Sequence, residues 1–222
     1  MSEIKQNTQS KFLRTLATVL SYILHPLFMP VYISVAIYSL APVSFGNVSH
    51  SQFHQWLGII ALSTIVFPMI AILLMKALGF IKSMMMEDMR DRIIPLMATM
   101  IFYFWVSHVF NSVGQQGDKN IAVPLILKVL LLGSFWDVIV IFMCNIFFKI
   151  SMHATAAGSV IGIFILLMLI THMFMPVPFL IVLLIAAVMG IIRKILSAHT
   201  MPEIWLGYIL GILVMLGAYW YM

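Results

Sequence analysis

Charge is scarce in this sequence. Asp, Glu, Lys and Arg together make up 9% of the residues against 63% apolar ones, and the mean hydropathy is +1.11. Water-soluble domains carry roughly a quarter charged residues, so this composition excludes one. Acidic residues are the scarcest, seven in the whole chain. Cysteine occurs once, as Cys144 inside an apolar run, which excludes a disulfide framework and a cysteine-based metal cluster and leaves the thiol no polar neighbour in sequence to activate it. The twelve Lys and Arg give a formal net charge of +5, but no basic stripe is interleaved with exposed aromatics, so nucleic acid is not an expected partner. Internal repeats and low-complexity tracts are also missing.

What the sequence has in abundance is long apolar runs. They cover about 15–40, 56–80, 93–113, 121–148, 154–174, 177–196 and 203–221. A helix needs about 20 such residues to cross the hydrocarbon core, so the expected fold is an all-α, polytopic transmembrane bundle of six to seven spans. It forms one membrane domain, 15–222, behind a short tail, 1–14. Lys11 and Arg14 precede a first run too long for a signal-peptide core, so this run is retained as a span. His25-Pro26 and Pro30 predict a kink within it. The lack of targeting extensions and the compact loops point to a bacterial inner membrane.

The remaining charges gather in three connections: Lys82 to Pro95, with Glu87, Asp88, Arg90, Asp91 and Arg92; Lys149 to His153; and Arg193 to Glu203. Two spans separate each from the next. An even number of crossings returns the chain to the same face, so all three meet at one membrane surface. The rule that Lys and Arg collect on the cytoplasmic side gathers charges in the same way, but it accounts for neither the histidines nor Glu203. Gly158 with Gly162 and Gly207 with Gly211 form GxxxG pairs in the spans that follow the second and third connections, a spacing that lets helices approach closely.

Basic groups, two histidines and a carboxylate at one face suit an anionic headgroup, phosphate above all. Guanidinium forks match phosphate oxygens bidentately and lysine acts as a point charge. A histidine can attack phosphorus or protonate a leaving oxygen, and a carboxylate bonded to it fixes its tautomer. The spacing resembles the type 2 phosphatidic acid phosphatase superfamily, whose signature is a Lys/Arg-rich element ending in Arg-Pro, a Ser-Gly-His element, and Arg, five residues, His, three residues, Asp. Arg193, His199 and Glu203 match the third element with Glu for Asp. Ser151-Met152-His153 matches the second with Met for Gly and is preceded by Lys149. In the first, one residue too many lies between Lys82 and Arg90, and Arg92 is followed by Ile-Ile-Pro95. The resemblance covers about 82–211. It implies a metal-free lipid phosphatase without cofactors: His199 is the nucleophile forming a phosphohistidine, Glu203 its orienting carboxylate and His153 the general acid. Arg193, Lys149, Ser151, Arg92 and Arg90 bind the phosphate. The implied substrate is a membrane lipid phosphate or diphosphate, such as phosphatidate, phosphatidylglycerophosphate or a polyprenyl diphosphate.

Other readings compete. Thr200 to Glu203 fits a helix capping box, Ser151 a helix N-cap, and Arg193 with Lys194 interfacial anchors. A catalytically inactive transporter or scaffold retaining the phosphate site is one alternative function. Another is a prenyltransferase of the UbiA type, whose acidic diphosphate-binding loops Glu87 to Arg92 resembles; such enzymes need two of them around Mg²⁺, and the acidic residues do not suffice for the second. His25 and His108 are expected to be interhelical hydrogen-bond partners, and His50, His54 and His172 to lie in neutral connections. Asp137 and Lys128 fall within the fourth span, where ionisable groups are costly, but two and a half turns apart they are no obvious pair.

Lys5, Lys11 and Arg14 lie two crossings from the first charged connection, which places the N-terminus and the site on the cytoplasmic face. Cysteines introduced at Ser2 and Ser44 test this: Ser2 is expected to be labelled only from inside and Ser44 from outside, and labelling of Ser2 from outside would reverse the topology.

Overall fold

A computed structural model describes residues 2–46, 48–81, 89–112 and 122–222, and of residues 2–10 and Arg90 the backbone alone. The stretch Lys82 to Asp88 of the first charged connection and the neutral connection 113–121 lie outside the described residues. Every regular element among those described is helical, and seven helical segments are long and apolar enough to cross a membrane. The chain is a polytopic transmembrane helix bundle.

Prolines set most of the boundaries. α1 (Ser2–Ile23) stops short of Pro26, whose ring disfavours helical backbone in the residue before it; His25 is extended, with φ −68° and ψ 139°. Its Nδ1 accepts from the Leu27 N–H at 3.3 Å, and a single 3-10 turn (Pro26–Phe28) leads into α2 (Met29–Leu40). The break is sharper than a kink, and α1 and α2 together form the first span. Ser49 caps α3 (His50–Ala61), accepting from Gln52 N–H, so His50 and His54 start a helix rather than sit in the connection expected for them. A π turn (Leu62–Val66) joins α3 to α4 (Phe67–Ala77). Pro68 has no N–H to offer the Thr64 carbonyl four residues back, and the Tyr103 hydroxyl donates to that carbonyl from α5 (Met89–Ser112).

Behind Pro124 comes α6 (Leu125–Phe147), the most enclosed span, with a nearly continuous apolar surface packed against α2, α5, α7 and α9. α7 (Met152–Thr171) starts at its N-cap Ser151 and ends at His172 in the left-handed conformation. α8 (Pro176–Ile195) and α9 (Met201–Tyr221) each carry proline in the first turn, where the missing N–H costs nothing. Buried hydroxyls of Ser34, Thr64, Thr99 and Thr155 donate to carbonyls four residues back, so lipid-level polar groups are satisfied within their helices. Asp137 is buried and meets Ser159 of α7 at 2.5 Å, not Lys128.

The closest pairing is α7 with α9, and the two GxxxG pairs make it possible. A Cβ at Gly158 would run into the Tyr208 carbonyl, and one at Gly211 into the Thr155 carbonyl. At Gly207 it would come within 2.9 Å of Ala154 Cβ, and at Gly162 within 2.9 Å of Met215 Cβ. Backbones at such range leave no room for a side chain. Gly211→Leu is therefore expected to overpack this seam and to cost about 1–3 kcal/mol or more, seen as a lowered melting temperature in detergent. Gly58→Ala, at a position with open space around it, serves as the unaffected control. An unchanged melting temperature for Gly211→Leu would contradict the packing.

Candidate functional site

The α7–α9 seam ends where the charged connections meet. Ser151 accepts from Ala154 N–H at 3.3 Å and so starts α7, with His153 in its first turn. Arg193 lies in the last turn of α8. That helix closes with Leu196 N–H on the Ile192 carbonyl, Ser197 N–H on the Lys194 carbonyl and Ala198 N–H on the Arg193 carbonyl, with Ser197 at φ 53°. This tight turn, a helix end with one residue left-handed, delivers His199 just before α9. Glu203 stands one turn later and accepts from His199 Nδ1 at 2.7 Å. Its carboxylate also reaches back to the N–H and hydroxyl of Thr200, so the capping arrangement and the histidine contact share one side chain. On the far side of α6, Asn145 donates to the Met89 carbonyl at 2.7 Å and fixes the start of α5, which carries Arg92.

The result is one electrostatic neighbourhood. Arg92 and Arg193 are both buried, at 6% and 8% exposure, and close enough for each to feel the other's charge. Lys149, half-buried in the turn before α7, and Arg92 both act on His199. Arg193 Nη1 donates to His153 Nδ1 at 3.0 Å, while its Nε is buried with no hydrogen-bond partner among the described residues. Two buried guanidiniums side by side are costly unless an anion joins them.

A carboxylate only accepts, so the Glu203 contact puts a hydrogen on His199 Nδ1 and leaves a lone pair on Nε2. Burial is the largest influence on this imidazole and disfavours its charged form. The hydrogen bond and charge of Glu203 push the other way, and Lys149 and Arg92 add to the effect of burial. The balance lies below the ordinary 6.5, so His199 is neutral near pH 7.

Of the residues anticipated from sequence, the fold brings together His153, Lys149, Arg92, Arg193, His199 and Glu203. Ser151 is different: its hydroxyl is spent on the cap, and it is fully buried beneath α9, with its carbonyl against Gly207. The backbone of Arg90 lies in the first turn of α5, and its side chain is outside the described residues. Two participants were missed. The Ser21 carbonyl and hydroxyl stand 3.2 and 3.3 Å from His153 Nε2, and the His25 ring packs edge-on against the His153 ring at 5.4 Å. The signal for them was the His25-Pro26 break, but a continuous apolar run hides where along the bundle that break falls.

The other histidines stand apart. His108 is exposed and stacks on Phe104 of its own helix instead of bridging helices. His50 meets the Tyr38 hydroxyl at 2.9 Å, and His172 ends α7. Among the described residues no three His, Cys, Asp or Glu side chains converge as metal ligands. The arrangement suits a tetrahedral oxyanion held by guanidinium and ammonium groups beside a neutral, carboxylate-oriented imidazole. In comparisons with known proteins, no family model matches the chain, and neither a curated protein nor a solved structure matches it.

Proposed function

We propose that the protein is a membrane lipid phosphatase that hydrolyses a lipid phosphate or diphosphate through a phosphohistidine intermediate, without a metal. The observation that carries this reading is Arg193: a buried guanidinium beside a second one, with its Nε unpartnered among the described residues, set between His153 and the His199–Glu203 pair. A phosphoryl group supplies the missing anion and places phosphorus next to an imidazole with a free lone pair.

In this mechanism Arg193, Arg92 and Lys149 hold the phosphoryl oxygens, so charge that redistributes in the transition state meets fixed cations. His199 Nε2 attacks phosphorus, and the Glu203 carboxylate stabilises the positive charge that develops on the ring. His153 gives a proton to the leaving oxygen, and water then hydrolyses the phosphohistidine. The bundle confines the substrate to an amphiphile whose headgroup reaches the membrane surface. The bacterial inner membrane, with the site at its cytoplasmic face, is the setting the charge distribution favours.

Purified protein in EDTA, offered a panel of lipid phosphates and diphosphates, is expected to release phosphate. Activity lost to the chelator would favour the metal-dependent prenyltransferase alternative, and binding without turnover an inactive scaffold. His199→Ala is expected to abolish both turnover and any acid-labile phosphoenzyme. General acid catalysis typically supplies about a hundredfold to ten-thousandfold, so an activated leaving group should recover much of the loss in His153→Ala and none of that in His199→Ala. Glu203→Gln should lie between the two. Native turnover in His199→Ala would remove the nucleophile assignment.

The pH profile gives an independent check. The competent form of His199 is the neutral one, and its protonation is held below the ordinary 6.5. Activity should therefore be retained as pH falls to that value and decline only beneath it. Glu203→Gln removes influences that favour protonation, so its acid limb should move to still lower pH even as its rate drops. An acid limb above 6.5 would show that a different group controls the rate.

A further inference from the structure

His153 has both ring nitrogens engaged, and the two partners differ in kind. A guanidinium has hydrogens to give and no lone pair to receive one, so the 3.0 Å contact from Arg193 Nη1 requires a lone pair on His153 Nδ1. The remaining hydrogen is then on Nε2, where the Ser21 carbonyl accepts it at 3.2 Å. Held this way, His153 has no proton to offer a leaving group: the one it carries points at the backbone of α1, and the nitrogen facing Arg193 is occupied. The charged groups around the ring are all basic: Arg193 on α8, His25 at the break after α1 and His199 before α9. No carboxylate among the described residues contacts it, in contrast to His199.

Resting on the reading of this site as a phosphate site, we propose that anion binding and proton uptake are coupled at His153: an oxyanion that takes over the Arg193 guanidinium frees Nδ1 to accept one proton, with the Ser21 carbonyl as the positioning group that keeps Nε2–H in place. Before substrate arrives, His153 is the acceptor that holds Arg193. Once the phosphoryl oxygens supply negative charge and take Nη1, the lone pair at Nδ1 is released beside an anion, and the imidazolium forms with Nε2–H still on Ser21 and Nδ1–H facing the phosphate. During transfer the bond from phosphorus to the leaving oxygen breaks, a bond from phosphorus to His199 Nε2 forms, and Nδ1–H passes to the leaving oxygen, returning His153 to neutrality. In the second half water attacks phosphorus, the phosphorus–nitrogen bond breaks, and the water proton goes to the vacant Nδ1. One lipid phosphate and one water give one alcohol and one phosphate. The histidine is an acid only when there is something to protonate, and the break in the first span, through Ser21, determines which nitrogen does it.

Tungstate is a suitable probe, a tetrahedral dianion with no proton to exchange near neutral pH. Calorimetric titration of the full-length protein in detergent, repeated at pH 7.5 in buffers of different ionisation enthalpy, counts the protons taken up per anion bound. The expected count approaches one for the native chain and falls to near zero in His153→Gln, whose amide keeps an acceptor for Arg193 and a donor for Ser21. Tungstate that binds with no proton uptake, or uptake that persists in His153→Gln, would overturn the coupling while leaving the phosphate site standing. Failure of tungstate to bind, together with no phosphate release from any lipid in the panel, would overturn the site reading itself and the coupling with it.

Discussion

The contact on which the rest of this structure depends is the backbone-to-backbone seam between α7 and α9. In lipid there is no hydrophobic force to drive helices together, because the surrounding tails are as apolar as leucine side chains, so close approach has to come from small residues. Gly158, Gly162, Gly207 and Gly211 supply it, each facing backbone or Cβ atoms of the other helix that would collide with any side chain added there. That seam fixes the N-terminus of α7 against the N-terminus of α9. His153 and Glu203 sit in those two first turns, and the tight turn closing α8 adds Arg193 and His199. Four chemically distinct side chains are thus positioned by two helix ends and one turn, with no long loop involved.

Concentrating cations at such a point works against stability. Arg92 and Arg193 are buried side by side, and one ion pair, His199 with Glu203, is found among the described residues. A buried charge without its counterion is among the costliest features a fold can carry, in lipid more so than in water. The remaining buried polar groups show the usual remedy: threonine and serine hydroxyls return to carbonyls one turn back, and Tyr103 fills the carbonyl that Pro68 leaves open. The guanidinium Nε of Arg193 is an exception to that thrift. Residues that depart from otherwise consistent rules tend to sit where function demands it.

Much of this was legible in the sequence because lipid makes strong demands. Apolar runs of span length can only be helices, and the seven segments found differ from those read by a few residues at their ends. The second span begins earlier, at His50, because Ser49 is a capping residue and polar residues are admitted in a first turn that lies at the membrane surface. The convergence of Lys149, His153, Arg193, His199, Glu203 and Arg92 followed from counting crossings, which depends on parity and not on packing detail. Parity does not say at what depth a side chain sits, and that is why Ser21 and His25 escaped notice. They belong to a run whose hydropathy is continuous from Lys11 to Leu40, while its helix is not. The double duty of Glu203 and the single duty of Ser151 were equally invisible, since both residues fit a helix cap and a binding site by spacing alone.

The two histidines of the site are the same residue in opposite settings, and the difference explains how they can divide the work. His199 leans on a carboxylate, a partner that accepts a hydrogen and stabilises positive charge on the ring, while burial and neighbouring cations keep it neutral at rest. That combination leaves a lone pair on Nε2 and lowers the cost of the charge that forms when the nitrogen is used in attack. His153 leans instead on a carbonyl and a guanidinium, a neutral acceptor and a permanent donor, neither of which supplies the negative charge an imidazolium needs. Exchanging the partners would exchange the roles. Pairs of titratable groups pushed apart by their environments are how a site runs nucleophilic and acid chemistry at the same pH. Here the separation comes from where three helices end: α9 starts with an acid, α8 ends with a base, and α1 breaks next to the ring that has to serve between them.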